Sequence, residues 1–180
     1  VETVDCYSGA ITDSAMRFDS VADLLKRVVG LNPVSGPIAV NGAEPGDVLA
    51  VHVLDIQVGT AGGRAVTMVV PGFGGLCNPN TLAPEIGPDT RICPIRDGVV
   101  EFPLRDRVLR LPVRPMIGTI WTAPAAERRY AYVYDIGNGG NVDCPELGPG
   151  ATVHLPVSVA GAMLSLGDVH ACMGDGEITG

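Results

Sequence analysis

Residues 165–180, Ser-Leu-Gly-Asp-Val-His-Ala-Cys-Met-Gly-Asp-Gly-Glu-Ile-Thr-Gly, gather one of the chain's three histidines, His170, and three acidic side chains among four glycines. Neutral imidazole and ionised carboxylates are the ligand set of a hydrolytic metal, and a carboxylate can also serve as general base. The glycines open backbone angles that a Cβ forbids, so polar groups can be turned inward over a short distance. The competing reading is a polar hairpin turning at Asp175-Gly176. In an ideal two-residue hairpin His170 stands about 13 Å along the strand from the rung that carries Glu177, too far for shared ligation. A site here therefore requires the glycines to curl the chain.

Residues 136–143, Ile-Gly-Asn-Gly-Gly-Asn-Val-Asp, form a second candidate element. Backbone N–H groups of Gly137 to Gly140 can stabilise an oxyanion, and Asn138, Asn141 and Asp143 offer oxygens. A turn-rich connector with Asx turns explains the same composition. Asp5 lies near the end of an alternating stretch, residues 1–7, that reads as a strand; an exposed strand aspartate is the plainer account. His52 and His154 sit in alternating apolar runs and read as structural or solvent-facing rings. Pro71-Gly-Phe-Gly-Gly75 lacks the lysine and the helix pattern of a phosphate loop. No Gly-x-Ser-x-Gly elbow occurs, and Cys172 is the single thiol close to His170 in sequence.

The elements that must position these residues are mainly strands. Gly and Pro, 24 and 15 of 180 residues, are spread among short Val-, Leu- and Ile-rich runs, which predicts many short strands between turns. The fold class expected is mainly β, sandwich-like or barrel-like, in one domain spanning 1–180. One clear helix is expected over about 20–29, with Asp19 or Ser20 as N-cap and Gly30 as its stop. Asp97-Gly98 breaks the strands between Thr90 and Pro115, and residues 78–88 read as loop. The net charge of −8 leaves no basic stripe for nucleic acid, and no apolar run reaches membrane length. Five cysteines without a C-x-x-C pair predict reduced thiols and a cytoplasmic protein.

Several motifs then fall in order. They are Ser35-Gly-Pro-Ile-Ala-Val-Asn-Gly-Ala-Glu-Pro-Gly-Asp-Val-Leu49, Met116-Ile-Gly-Thr-Ile with Ala123-Pro124, Gly139-Gly-Asn-Val-Asp143, and Gly167-Asp-Val-His-Ala with Gly174-Asp-Gly-Glu177. Their order and spacing along nearly the whole chain resemble the acetamidase/formamidase family. The resemblance implies a β-rich enzyme that hydrolyses small linear amides, with lactams for some relatives, using zinc or calcium. It implies Asp5, Asp143, His170 and Glu177 as metal ligands, and Glu177, Asp175 and Asp5 as catalytic carboxylates. Gly139, Gly140, Asn141 and Met173 are the residues expected to meet substrate, Met173 standing where the family commonly has glutamine. The family pattern also extends beyond both ends of this sequence.

Amide hydrolysis by metal-activated water is the leading expectation, with a small amide as partner and a homo-oligomer as the assembly. A second expectation reads Gly180 as a cleavage point, after which a second chain from the same precursor docks against residues 169–180 and supplies an N-terminal Thr or Ser nucleophile. A third is a non-catalytic β-rich binding subunit whose strand edges a partner covers.

Overall fold

The computed structural model describes residues 1–59, 63–77, 86–125 and 137–177. In chain order the elements are α1 (Val21–Leu24), β1 (Val34–Ile38), β2 (Val48–His52), β3 (Arg64–Val69), α2 (Gly74–Cys77) and β4 (Asp89–Arg96). Then follow β5 (Val99–Pro103), β6 (Val108–Pro112), β7 (Met116–Trp121), β8 (Gly139–Asn141), β9 (Thr152–Pro156) and β10 (Leu164–His170). The chain is mainly β, as expected. Its sheets are open, with strand orders β1-β10-β7-β8, β2-β9 and β3-β4-β5-β6, and none of them closes into a barrel among the described residues.

Contacts divide the chain into two compact units. The first comprises Val1–Cys6, Leu31–Ile56 and Pro115–His170. It holds the β1-β10-β7-β8 and β2-β9 sheets around a core of Val53, Ile117, Ile120, Leu147, Leu155 and Leu164. In β2 the apolar side chains Leu49 and Val51 are half-buried while Val48, Ala50 and His52 are exposed, the period of two that a one-faced strand dictates. In β7 residues 116–120 are all buried, as in a central strand covered on both faces, so Met-Ile-Gly-Thr-Ile reads as an almost unbroken apolar run. His52 and His154 lie exposed on the paired β2 and β9, and His52 Nδ1 is 2.9 Å from Thr152 Oγ1.

The second unit comprises Tyr7–Gly30, Gln57–Arg114 and Ala171–Gly180, with the β3-β4-β5-β6 sheet. The Asp97-Gly98 break is a two-residue hairpin turn joining Arg96 to its partner Val99. Both turn residues have positive φ, 49° and 72°, which matches the right-handed twist of the flanking strands. The charged residues Arg105, Asp106, Arg107 and Arg110 are exposed, as their composition suggests.

Two expected elements differ. The helix over about 20–29 is cut to α1: Ser20 caps it by accepting from Asp23 N, but beyond Leu24 the bonding is mixed, with Lys26 N–Asp23 O and Arg27 N–Leu24 O at i→i+3 and Leu25 N–Val21 O and Val28 N–Leu24 O at i→i+4, so the regular ladder stops. Leu24 and Val28 are still buried together at helical spacing. Residues 1–7 form no strand, since Glu2 O accepts from the Ser35 hydroxyl instead of a ladder partner, and the chain turns at Cys6–Gly9. The Pro71–Gly75 stretch leads into the single helical turn α2. Residues 78–85 and the expected cleavage point Gly180 lie outside the described residues. No helix among the described residues is long and apolar enough to cross a membrane.

Cys6, Cys93, Cys144 and Cys172 are thiols without a disulfide; the side chain of the fifth, Cys77, is outside the described set. Burial on β4 pushes the Cys93 thiol up to about 11, with Cys172 adding to the rise and Arg91 opposing it. Below pH 9 both folded and unfolded chains keep this proton; above it the unfolded chain releases it first, so folding stability is lost as pH rises through about 11. Urea melts at about pH 8 and about pH 10.5 should therefore show a decline, up to roughly 1.4 kcal/mol per unit from this group, that is shallower in Cys93→Ala. Equal declines in both proteins would refute the assignment.

Candidate metal centre

Three side chains of the first unit, Asp143, Asp168 and His170, each present a ligand atom, all within 4.8 Å of one another. His170 and Asp168 come from β10, where a spacing of two places them on one face. Asp143 follows β8 by two residues. His170 Nε2 is 3.6 Å from Asp143 Oδ1 and 3.7 Å from Asp168 Oδ1. The side chains are 15%, 16% and 5% exposed, so these polar groups meet where little water reaches them.

Gly118, in the middle of β7, makes the approach possible. Across the β7–β10 register it falls opposite Asp168, between the pairs Gly167–Thr119 and Val169–Ile117. A Cβ at this position would stand 2.8 Å from each of Asp143 Oδ1, Asp168 Oδ2 and Asp168 O. Real Cβ atoms do not come so close, so the two carboxylates occupy the space that any other residue type would fill. The aspartates also hold left-handed backbone, φ 46° at Asp143 and 53° at Asp168. Asp and Asn tolerate that region better than other side chains, and such conformations gather at functional sites.

Neighbouring polar groups tie the carboxylates down. Asn141 Nδ2 donates to Asp143 Oδ2. Asn141 Oδ1 accepts from Asn32 Nδ2 at 2.9 Å and from Thr119 Oγ1 at 2.6 Å. The Thr119 hydroxyl is also 3.1 Å from Asp168 Oδ2, so its one proton is shared between two acceptors. Beside this network a hollow of about 210 Å³ is lined by Gly139, Gly140, Asn141 and Val142.

The donor set fits a divalent ion. An imidazole nitrogen and two carboxylates are ligand types that such an ion takes.

Of the residues singled out in sequence, the structure brings Asp143 and His170 together and places Asn141 against them. Gly139 and Gly140 form β8 beside the hollow. Asp5 is an exposed residue of the same unit and is not one of the clustered three. Met173, Asp175 and Glu177 belong to the second unit, with Asp175 exposed at a turn and Glu177 half-buried at φ 34°. Sequence reasoning missed Asp168, Gly118, Thr119 and Asn32. Asp168 had a signal: two residues before His170 in a strand-forming run means the same face. Gly118 and Thr119 lay unread inside an apolar motif.

The acetamidase/formamidase family model matches residues 1–131 and 122–180. An acetamidase of Mycolicibacterium smegmatis is 30% identical over 214 aligned residues, covering 89% of this chain and 52% of the relative. That alignment is longer than the chain, so the relative carries residues with no counterpart here. The crystal structure of an acetamidase from Bacillus halodurans superposes with a TM-score of 0.81 at 40% identity, over 98% of this chain and 54% of the other. An acetamidase from Yersinia enterocolitica gives 0.80 at 35%, over 99% and 52%. The chain thus spans about half the length of these relatives, and it belongs to the acetamidase/formamidase family.

Proposed function

We propose that this chain carries the metal-binding part of an amidohydrolase that cleaves the C–N bond of small linear amides, of the formamide and acetamide kind, with lactams as a further class. The observation that carries the reading is the meeting of Asp143, Asp168 and His170 over a glycine that leaves them room. Family membership supports this reaction, in which an amide and water give a carboxylate and ammonium. These three residues would hold the ion, and zinc suits the imidazole better than calcium does. When bound, such an ion supplies Lewis acidity, polarising a carbonyl and acidifying water.

The protein's own groups account for the rest. Asn141 keeps Asp143 oriented, and since both lone pairs of its Oδ1 are taken, what it can offer a substrate is its second amide hydrogen. Backbone N–H groups at Gly137 to Gly140 are the proposed oxyanion donors, and the neighbouring hollow suits a substrate of few atoms. Glu177 is the proposed general base, taking a proton from water and passing it to the leaving nitrogen; Asp175 and Asp5 are further proposed carboxylates, and Met173 a substrate contact. These assignments rest on the motif resemblance. The thiol state of four cysteines suits a reducing compartment such as the cytoplasm.

Metal analysis and an ammonia-release assay on formamide and acetamide test the reading. The purified chain should bind one divalent ion, and chelator should abolish hydrolysis until zinc is restored. Hydrolysis at full rate in metal-free protein would refute it. Glu177→Gln should lower kcat by about 10²–10⁴-fold with metal content intact. Gly118→Ala should cost on the order of 1–3 kcal/mol in stability and sharply weaken ion binding, because the added methyl must displace both carboxylates. An alanine variant that binds metal like the parent would show that the cradle is not the site.

A further inference from the structure

The two carboxylates share a pattern that their own chemistry does not require. In Asp143, Oδ2 is held by Asn141 while Oδ1 faces His170 Nε2 at 3.6 Å. In Asp168, Oδ2 is held by Thr119 while Oδ1 faces the same nitrogen at 3.7 Å. Each carboxylate is anchored through one oxygen and presents the other to the centre.

The anchors converge on one atom. Asn141 Oδ1 takes hydrogen bonds from Asn32 and from Thr119, which forces its Nδ2 edge toward Asp143. Asn32 is itself oriented: Cys6 Sγ donates to its Oδ1 at 2.9 Å, so its Nδ2 points at Asn141. Its backbone is also left-handed, φ 52°, and its N–H bonds to Cys6 O at 3.2 Å. Thr119 is fully buried, and in a strand that is otherwise apolar except for Thr119 its hydroxyl has this one pair of acceptors. Burying a hydroxyl costs free energy unless it is bonded, so this threonine is expensive packing unless the bonds matter.

We propose that Asn32 and Thr119 are positioning residues for the metal centre: through Asn141, and for Thr119 also directly, they fix which oxygen of Asp143 and of Asp168 faces His170. This rests on the metal-site reading above. Neither residue touches the ion or the substrate in this scheme. Outer partners of metal ligands commonly set affinity by a factor of 10–100, by orienting ligands that would otherwise rotate.

The test measures zinc affinity of the full chain by competition with a chromophoric chelator, alongside thermal melting of the metal-free protein. Thr119→Val keeps the shape of the side chain and removes the hydroxyl; Asn32→Gly removes the amide and still accepts the positive φ. Each should weaken zinc binding about 10–100-fold, and Thr119→Ser should restore most of the affinity. Because both act through one oxygen, the double variant should lose less than the two single losses combined. Thr90→Val is the control: Thr90 is also buried but lies on β4 in the second unit, so whatever it does to the melting temperature, zinc affinity should stay unchanged. If the parent chain binds no zinc, the metal-site reading falls and takes this inference with it. If the parent binds and both single variants bind within about threefold of it, the positioning role alone is refuted. Should Thr119→Val fail to fold, Asn32→Gly and Thr119→Ser decide the matter.

Discussion

Two carboxylates of like charge, held within 4.8 Å over a missing side chain, set the terms for the rest of the first unit. Two ionised groups that close repel by about 3–4 kcal/mol at an effective dielectric of roughly 20, and a cation between them reverses the sign. A fold does not assemble such a pair for stability. It must instead supply what keeps the pair in place: a glycine where the central strand passes beneath, a histidine facing both, and donors for the outer oxygens. Each is present, and each comes from a different position in the chain.

The backbone carries part of the cost. Asn32, Asp143 and Asp168 hold φ between 46° and 53°, a region that costs a non-glycine residue about 1–3 kcal/mol where the surroundings enforce it. All three are Asn or Asp, for which that cost is lowest. The same three side chains build the hydrogen-bond network with Asn141 and Thr119. Strain and bonding are therefore located together. The packed sheet around β7 and β10 is what allows this, because residues 116–120 are buried and cannot yield to relax their neighbours.

Much of the β architecture was legible because period-two patterning and turn chemistry are local. Asp97-Gly98 marked a break between strands, which is a hairpin turn, and Val48 to His52 showed its alternation. The helix over 20–29 was over-read because apolar spacing predicts which side chains are buried, and Leu24 and Val28 are, without fixing whether the backbone bonds run to i−4 or i−3. For the site, motif order pointed to Asp143 and His170. Asp168 needed the further step of treating its segment as a strand with two residues on one face. Gly118, Thr119 and Asn32 were beyond reach, since their roles depend on which strand lies against which. A glycine in an apolar run looks the same whether it relieves crowding or admits a carboxylate, and only the register of β7 on β10 tells them apart.

The short run from Asn138 to Asp143 shows how closely such a segment can be used. Asn138 is buried and anchors its start, donating through Nδ2 to Ser158 Oγ at 2.9 Å and Thr122 Oγ1 at 3.2 Å. Gly139 follows because a Cβ there would collide with Ile120 O and press on Leu155, so β8 packs against β7 more tightly than a side chain permits. Asn141 turns its amide inward to the network, and Asp143 supplies one carboxylate of the cluster. Side chains are thus consumed by anchoring and orientation. Among the described residues β8 pairs with β7 in its sheet, and its residues Gly139, Gly140 and Asn141 line the hollow together with Val142. A small amide has one carbonyl oxygen and few hydrogens to recognise. In the proposed reading Asn141 serves both ends of the site, orienting Asp143 and offering its second amide hydrogen to substrate. A change at Asn141 should therefore disturb both, whereas changes at Gly139 and Gly140 bear on the hollow that they line.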